Sequence, residues 1–372
     1  MGISSQEFQR RYGEIRDMMR KEQLDCLLIV GLNDDFNRGN IRYVTGLGRG
    51  GCCVFPAEGR PVLLGNPVLT NSRKLPKFMA AVDLLDLKTT AVPELEAVAQ
   101  LSYFDGGNKI GIVGKTCIPA PMYLAVAEKF GDRLVDSTEI FESLRTIKSP
   151  EEIEKMRRSA LIADTVYKRL REIIRPGLGE YEIYGEVKKI IYGMGCEYSF
   201  DLIDGAGSTM NMSFVPTEDR LEPNGTLFME ITPSYDGYYC QLPVTLPVGS
   251  YTPLLREMVR TWNEADKAAR KILRPGVKVS DLYHILINTV QERGFISPFR
   301  PGHSIGLDVL DFWSVTESNP LLLKAGMTIA IHPCVLKEMG GDGCGMGYTY
   351  LITETGAERL SKIDLAKDLL AD

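Results

Sequence analysis

The feature that most constrains this 372-residue chain is that its second part is written twice. Arg175-Pro-Gly-Leu-Gly-Glu-Tyr-Glu-Ile-Tyr184 aligns with Arg274-Pro-Gly-Val-Lys-Val-Ser-Asp-Leu-Tyr283, 99 residues further on. At the same offset Gly195 meets Gly294 and Phe200 meets Phe299. Each copy reads as a long helix, an Arg-Pro-Gly stop, a second helix and then strands. Proline cannot continue a helix, and glycine supplies the cap that follows. Two copies at so long a period exclude a solenoid, which stacks several short repeats. They predict a duplicated α+β unit with halves at about 150–250 and 254–360. Two such halves share one core and leave a cleft between them, a natural place for a site.

The duplicated unit is expected over 149–372. Ser149-Pro-Glu-Glu152 opens it with an N-cap, a proline at the first helical position and a glutamate at the capping-box position. Ile153, Met156, Ala160, Ala163, Tyr167, Leu170 and Ile174 then share one helical face. Residues 1–145 read differently. Phe8, Tyr12, Ile15, Met18 and Met19 mark an amphipathic helix, and Asp25–Val30 reads as a buried strand. Arg42–Gly46, Cys52–Phe55, Pro61–Gly65 and Ile110–Val113 read as further strands, and Pro121–Phe130 as a helix. Helices alternating with strands argue an α/β domain.

Composition narrows the partners. Lys+Arg 43 against Asp+Glu 49 gives a net charge of -6, with no basic stripe, which argues against nucleic acid. No apolar run approaches the ~20 residues that span a bilayer, so no membrane partner is expected. The polar start MGISSQEFQRRYGEIRDMMRKEQ is not a secretory signal, and MGISSQ fits the N-myristoylation pattern only weakly. The eight cysteines form no C-x-x-C pair and read as reduced, buried thiols. A cytoplasmic protein is expected.

Three histidines are present. His284 falls in a helix among Leu282, Ile285 and Leu286 and reads as structural. His303, in Arg300-Pro-Gly-His-Ser-Ile-Gly-Leu-Asp308, sits on a glycine-flanked turn. His332 ends the apolar run Ile329-Ala-Ile-His-Pro333. Both follow duplicated elements, which sets them apart as candidate site residues.

At these segments the chain resembles the prolidase / aminopeptidase P / creatinase family. Leu144-Arg-Thr-Ile-Lys-Ser-Pro-Glu-Glu152, Gly302-His-Ser-Ile-Gly-Leu-Asp308, Lys324-Ala-Gly-Met327 and Leu351-Ile-Thr-Glu-Thr-Gly356 carry the likeness. It covers essentially the whole chain. It implies a creatinase-type N-terminal α/β domain, a pita-bread catalytic domain and a homodimer. The family's peptidases hold two metal ions with two Asp, one His and two Glu. Carried over, those positions fall on Glu230, Gln241, His303, His332 and Gly347. Two further family histidines fall on Phe214 and Leu310. The carboxylates that hold creatinase's guanidinium fall near Pro243 and Met346.

These departures argue against an ordinary dinuclear peptidase. Four carboxylates balance two dications, whereas only Glu230 remains here, and uncompensated buried charge is costly. Glu230, His303 and His332, with Gln241 as a fourth ligand, would suit at most one Zn or Fe. The expected function is therefore a repurposed hydrolase or lyase. It would act on a C–N or related bond of a small molecule or short peptide, through His303, His332 and Glu230, with one metal or none. An inactive binding protein and a mononuclear iron enzyme are the alternatives. Phe214, Tyr238, Leu310 and Trp313 are the expected pocket wall, beside Tyr235, Tyr239 and Phe312. Arg49, in Gly46-Leu-Gly-Arg-Gly-Gly51, lies where the resemblance implies reach to a partner's pocket. Lys337–Gly347 is either a flap bearing Asp342 and Cys344 or a long hairpin turn.

Overall fold

The repeat is visible first in the helices. In the computed structural model, which describes residues 2–71, 79, 81–207 and 210–370, the first copy holds helices Pro150–Ile173 and Glu180–Gly193. The second holds Pro253–Ile272 and Val279–Glu292. Gly177 and Gly276 sit at φ 82 and 88 just past the two prolines, a backbone that favours glycine. Gly195 and Gly294, at φ 93 and 78, end the second helices in the same way. Each turn is also tied to a later segment. Gly177 donates to the Leu221 carbonyl and Gly276 to that of Leu323, both at 2.8 Å. The Ser149 capping box forms: Ser149 N donates to Glu152 Oε2 at 2.7 Å and Glu152 N to Ser149 Oγ at 3.4 Å. Ile162, Val166 and Tyr167 from one long helix and Met258, Val259 and Trp262 from the other are buried in a single core.

The chain forms two compact units, to Thr146 and from Ile147. In the first, strands β1 (Leu24–Gly31), β2 (Gly51–Pro56), β3 (Val62–Gly65), β4 (Asp86–Thr89), β5 (Lys109–Val113) and β6 (Leu134–Asp136) make one sheet in the order β4-β3-β2-β1-β5-β6. β1 is parallel to β5 and antiparallel to β2, so the sheet is mixed. The helix Ser5–Glu22 buries Phe8, Tyr12, Ile15, Met18 and Met19, as its spacing predicts. Arg42–Gly46 is not a strand. It lies in the helix Gly39–Thr45, capped by Gly46 at φ 70. All seven of its residues are buried, so the run carries no polar face from which the helical period could be read.

In the second unit the first half contributes β7 (Tyr198–Ser199), β8 (Leu202–Asp204), β9 (Thr226–Ile231), β10 (Pro233–Tyr235), β11 (Tyr238–Tyr239) and β12 (Leu242–Pro247). The second contributes β13 (Gly302–Ser304), β14 (Thr328–Ile331), β15 (Cys334–Leu336), β16 (Gly343–Gly345), β17 (Tyr348–Ile352) and β18 (Ala357–Arg359). β12-β9-β8 in one half and β13-β14-β17-β18 in the other are antiparallel sheets. A side chain and a main chain sew them together. Thr245 Oγ1 accepts from Gly345 N at 2.9 Å and donates to the Gly345 carbonyl at 3.0 Å. Gly347 N donates to the Pro243 carbonyl at 3.1 Å.

Candidate functional site

The register of β13 on β14 builds the centre of the site. His303 stands opposite Ala330, and His332 follows Ala330 by two residues. Side chains alternate along a strand, so the two imidazoles are diagonal neighbours on one face. The Ala330 methyl leaves that diagonal open. The ring centroids are 5.1 Å apart, edge to face at 62°. His332 N donates to the Pro301 carbonyl at 2.8 Å, which extends the ladder through the turn.

His303 is buried, with Nδ1 2.9 Å from the Ser304 carbonyl. A carbonyl only accepts, so Nδ1 carries the proton and Nε2 presents its lone pair. His332 is half-buried, but its Nε2 is out of solvent and has no hydrogen-bond partner among the described residues. Burial pushes His303 down to about 4, and burial with the neighbouring His303 and Arg300 charges pushes His332 well below the usual imidazole range. Both rings are therefore neutral at pH 7.

Gly347 explains how His332 fits. A Cβ on residue 347 would lie 2.3 Å from the Ile331 carbonyl oxygen and 2.5 Å from His332 Cβ. Only glycine lets the chain pass there, so the position the resemblance gives to a ligand glutamate is filled here by backbone and by the histidine.

Glu230 comes from the other half, on β9 opposite Pro243. It is buried, and burial raises its carboxyl to about 7, while a hydrogen bond from Gln241 and the Arg300 charge hold it from rising further. Because the Gln241 nitrogen serves Glu230, its Oε1 is left buried without a partner among the described residues. Thr349 fixes this glutamine from the opposite half: its Oγ1 accepts from Gln241 N at 2.9 Å and donates to the Gln241 carbonyl at 3.1 Å.

The expected metal set does not assemble. Among the described residues no three His, Cys, Asp or Glu side chains are grouped so that they could hold a metal ion. Glu230 takes its hydrogen bond from Gln241, and Gln241, the remaining candidate, is a weak neutral donor. The residues present do not fit the family's two-metal centre, nor a three-ligand site of Glu230, His303 and His332.

The other expected site residues divide. Leu310 and Trp313 lie half-buried in the segment after β13. The Trp313 carbonyl accepts from Ser304 N at 2.8 Å, which puts this segment against the strand of His303. Phe214 is 66% exposed and packs edge-on against Phe200, so it does not fill the site. Tyr238 is not a pocket wall: it is buried, and its hydroxyl donates to Glu152 Oε1 at 2.8 Å. Tyr239 is likewise core. Lys337–Gly347 is no flap: residues 337–342 form the turn of the β15–β16 hairpin and Gly343–Gly345 is β16 itself. Asp342 on it lines a separate cavity of about 180 Å³ with Thr252 and Met258. Cys344 is fully buried, and burial raises its thiol to about 12, which removes it as a nucleophile. Arg49 is exposed on a loop of the first unit, and His284 is exposed on its helix. Sequence reasoning missed Arg300, whose charge acts on Glu230, His303 and His332. The signal was its place three residues before His303.

Comparison with known proteins bears on this geometry. Residues 154–354 match the model of metallopeptidase family M24, and residues 11–147 that of the creatinase/prolidase N-terminal domain. An uncharacterized peptidase of Staphylococcus aureus (strain USA300) is 31% identical over 240 residues, 62% of this chain and 66% of that protein. The match thus spans just under two thirds of the relative's length. Among solved structures, the prolidase from Pyrococcus horikoshii OT3 superposes with a TM-score of 0.81 at 23% identity, covering 95% of this chain and 99% of that one. The Xaa-Pro dipeptidase from Bacillus anthracis gives 0.82 at 20%, covering 96% and 98%. Zn-substituted Escherichia coli aminopeptidase P gives 0.79 at 20%, covering 100% and 98%. These structural likenesses establish the fold.

Proposed function

The chain belongs to metallopeptidase family M24, with a creatinase/prolidase N-terminal domain before a pita-bread domain, and from that premise we propose that it is a repurposed member cleaving a C–N bond of a small molecule or short peptide by acid–base chemistry. The observation that carries the reading is the pair of neutral imidazoles 5.1 Å apart, at two positions that the resemblance gives to metal ligands. Glu230, held near 7, is the group whose proton can move at neutral pH. It would deliver that proton to the leaving nitrogen and take one from water. His303, its Nδ1 committed to the Ser304 carbonyl, offers the Nε2 lone pair to orient the water or a substrate N–H. His332 Nε2, itself out of solvent, would give the second polar contact. No step is routed through a metal, because the donors do not form a ligand set.

The test is hydrolysis of a panel of Xaa-Pro dipeptides, amides and ureido compounds at neutral pH, with metal content measured by elemental mass spectrometry. Turnover should fall by about 100-fold or more in Glu230→Gln and in His303→Ala and be indifferent to chelators. Turnover that survives both changes, or that vanishes with chelation, overturns the reading. A second reading, a binding protein without chemistry, is favoured by the loss of the metal donors. It predicts ligand binding that His332→Ala weakens, with no turnover of any compound. A cytoplasmic homodimer belongs to the same proposal, with Arg49 on an exposed loop available to a partner's site. Light scattering of the purified chain tests the dimer, and none of the described helices is long and apolar enough to cross a membrane.

A further inference from the structure

The site contains polar groups that no described residue satisfies. Gln241 is only 2% exposed, and its Oε1 has no hydrogen-bond partner among the described residues. His332 Nε2 is in the same condition. A buried polar atom left unpaired costs about 1–3 kcal/mol, so two of them, one beside the Glu230 carboxyl and one on the His303–His332 pair, call for something that binds there. An acceptor such as the Gln241 oxygen asks for an N–H or O–H.

Arg300 supplies the third element. It precedes Pro301, whose carbonyl accepts from His332 N at 2.8 Å, so its backbone is fixed one residue from the imidazole ladder. Its side chain is exposed, and among the described residues it makes no hydrogen bond or ion pair within 4.0 Å. It still acts on Glu230, His303 and His332 through its charge. Glu230 does not pair with it: among the described residues no ion pair within 4.0 Å joins the two. An arginine fork with no carboxylate of its own, at the edge of a dry site, matches the geometry of an incoming anion.

We propose that Arg300 is the anion anchor of this site. It takes the carboxylate of a small substrate whose amide or ureido N–H reaches the Gln241 oxygen and His332 Nε2. The inference rests on the proposed small C–N substrate and names its class: a compact acyl- or carbamoyl-amino acid rather than a neutral amide. The arrangement also orders the ligand. The charged end lies toward the exposed Arg300, and the C–N bond lies inward toward Glu230.

The experiment is calorimetric titration of the intact chain with N-acetylglycine and N-carbamoylglycine against N-acetylglycinamide, in the wild type, Arg300→Gln and Arg300→Lys. Nitrogen shifts of the His303 and His332 rings locate binding. The wild type should prefer the carboxylates by about tenfold or more. Arg300→Gln should bring that preference to near unity, Arg300→Lys should keep part of it, and both variants should melt like the wild type. Equal affinity for acid and amide, a preference that survives Arg300→Gln, or no binding of any probe overturns the proposal. Binding does not depend on turnover. Loss of the acid–base reading therefore leaves this readout standing, and turnover of neutral amides without an anion preference would sink this inference alone.

Discussion

The two halves of the second unit repeat one helix–turn–helix frame and carry opposite chemistry. Thr232-Pro233 in the first half stands where His332-Pro333 stands in the second, 100 residues on, each just after the corresponding strand β9 or β14. The first half brings a carboxyl and an amide, Glu230 and Gln241, to the seam. The second brings two imidazoles and a guanidinium, His303, His332 and Arg300. The scaffolding parts, the Arg-Pro-Gly turns and their left-handed glycines, have stayed alike. A turn that needs positive φ accepts little but glycine, whereas a residue facing a cleft is held only by what it must bind.

The largest effect that would break this asymmetry is at Gly347. Gly347→Ala places a methyl against the Ile331 carbonyl and His332 Cβ and should cost about 3 kcal/mol or more, read as lost soluble protein or a lowered denaturation midpoint. If Gly347→Ala with His332→Ala recovers part of the loss, the glycine and histidine are a matched pair. Full recovery is not expected, because the carbonyl contact remains.

Next in size is a pH effect that sets one half against the other. His303 and His332 are lowered on folding from 6.5, and Glu230 is raised from 4.5 to about 7. Between pH 4.5 and 6.5 the unfolded chain protonates both imidazoles and not Glu230, while the folded chain does the reverse. The unfolded state holds one more proton from this site, so the site's contribution to stability is lost as pH falls, by about 1.4 kcal/mol per unit. Glu230→Gln removes the opposing proton and should steepen the slope to about 2.7 kcal/mol per unit. Urea titrations of both proteins across that window measure the difference, and parallel curves would refute it.

A smaller effect sharpens the comparison at a place without function. Gly185 in the helix of the first half matches His284 in the second at the repeat offset, and a Cβ there would meet nothing within 4 Å. Gly185→Ala should stabilise by ~1 kcal/mol in thermal melts, since glycine is the poorer helix former. Smallest of all, Arg300→Gln should raise the imidazoles of His303 and His332, and also Glu230, because the same positive charge disfavours imidazolium and favours carboxylate. Histidine titration by NMR reads the first shift, and a fall would contradict the assigned position of the guanidinium.

The duplication, the unit opened by the Ser149 capping box and most of the buried strands could be read in the chain, and Glu230, Gln241, His303 and His332 could be singled out there as candidates. They rest on local physics: proline and glycine stops, a capping pair, period-two and helical spacing, and residue types that hold protons. Arg42–Gly46 could not be read, because burial on every side hides the helical period. Tyr238 could not be told from a pocket residue until Glu152 was seen to take its hydroxyl. Which titratable groups cooperate was decided only in three dimensions. Strand register put His332 on the diagonal of His303, the meeting of two sheets turned Gln241 toward Glu230 and left its oxygen unpaired, and backbone close to residue 347 removed room for a ligand there. Sequence fixes which protons a residue can carry. Burial and neighbours fix at what pH it carries them, and those are set by segments far apart in the chain.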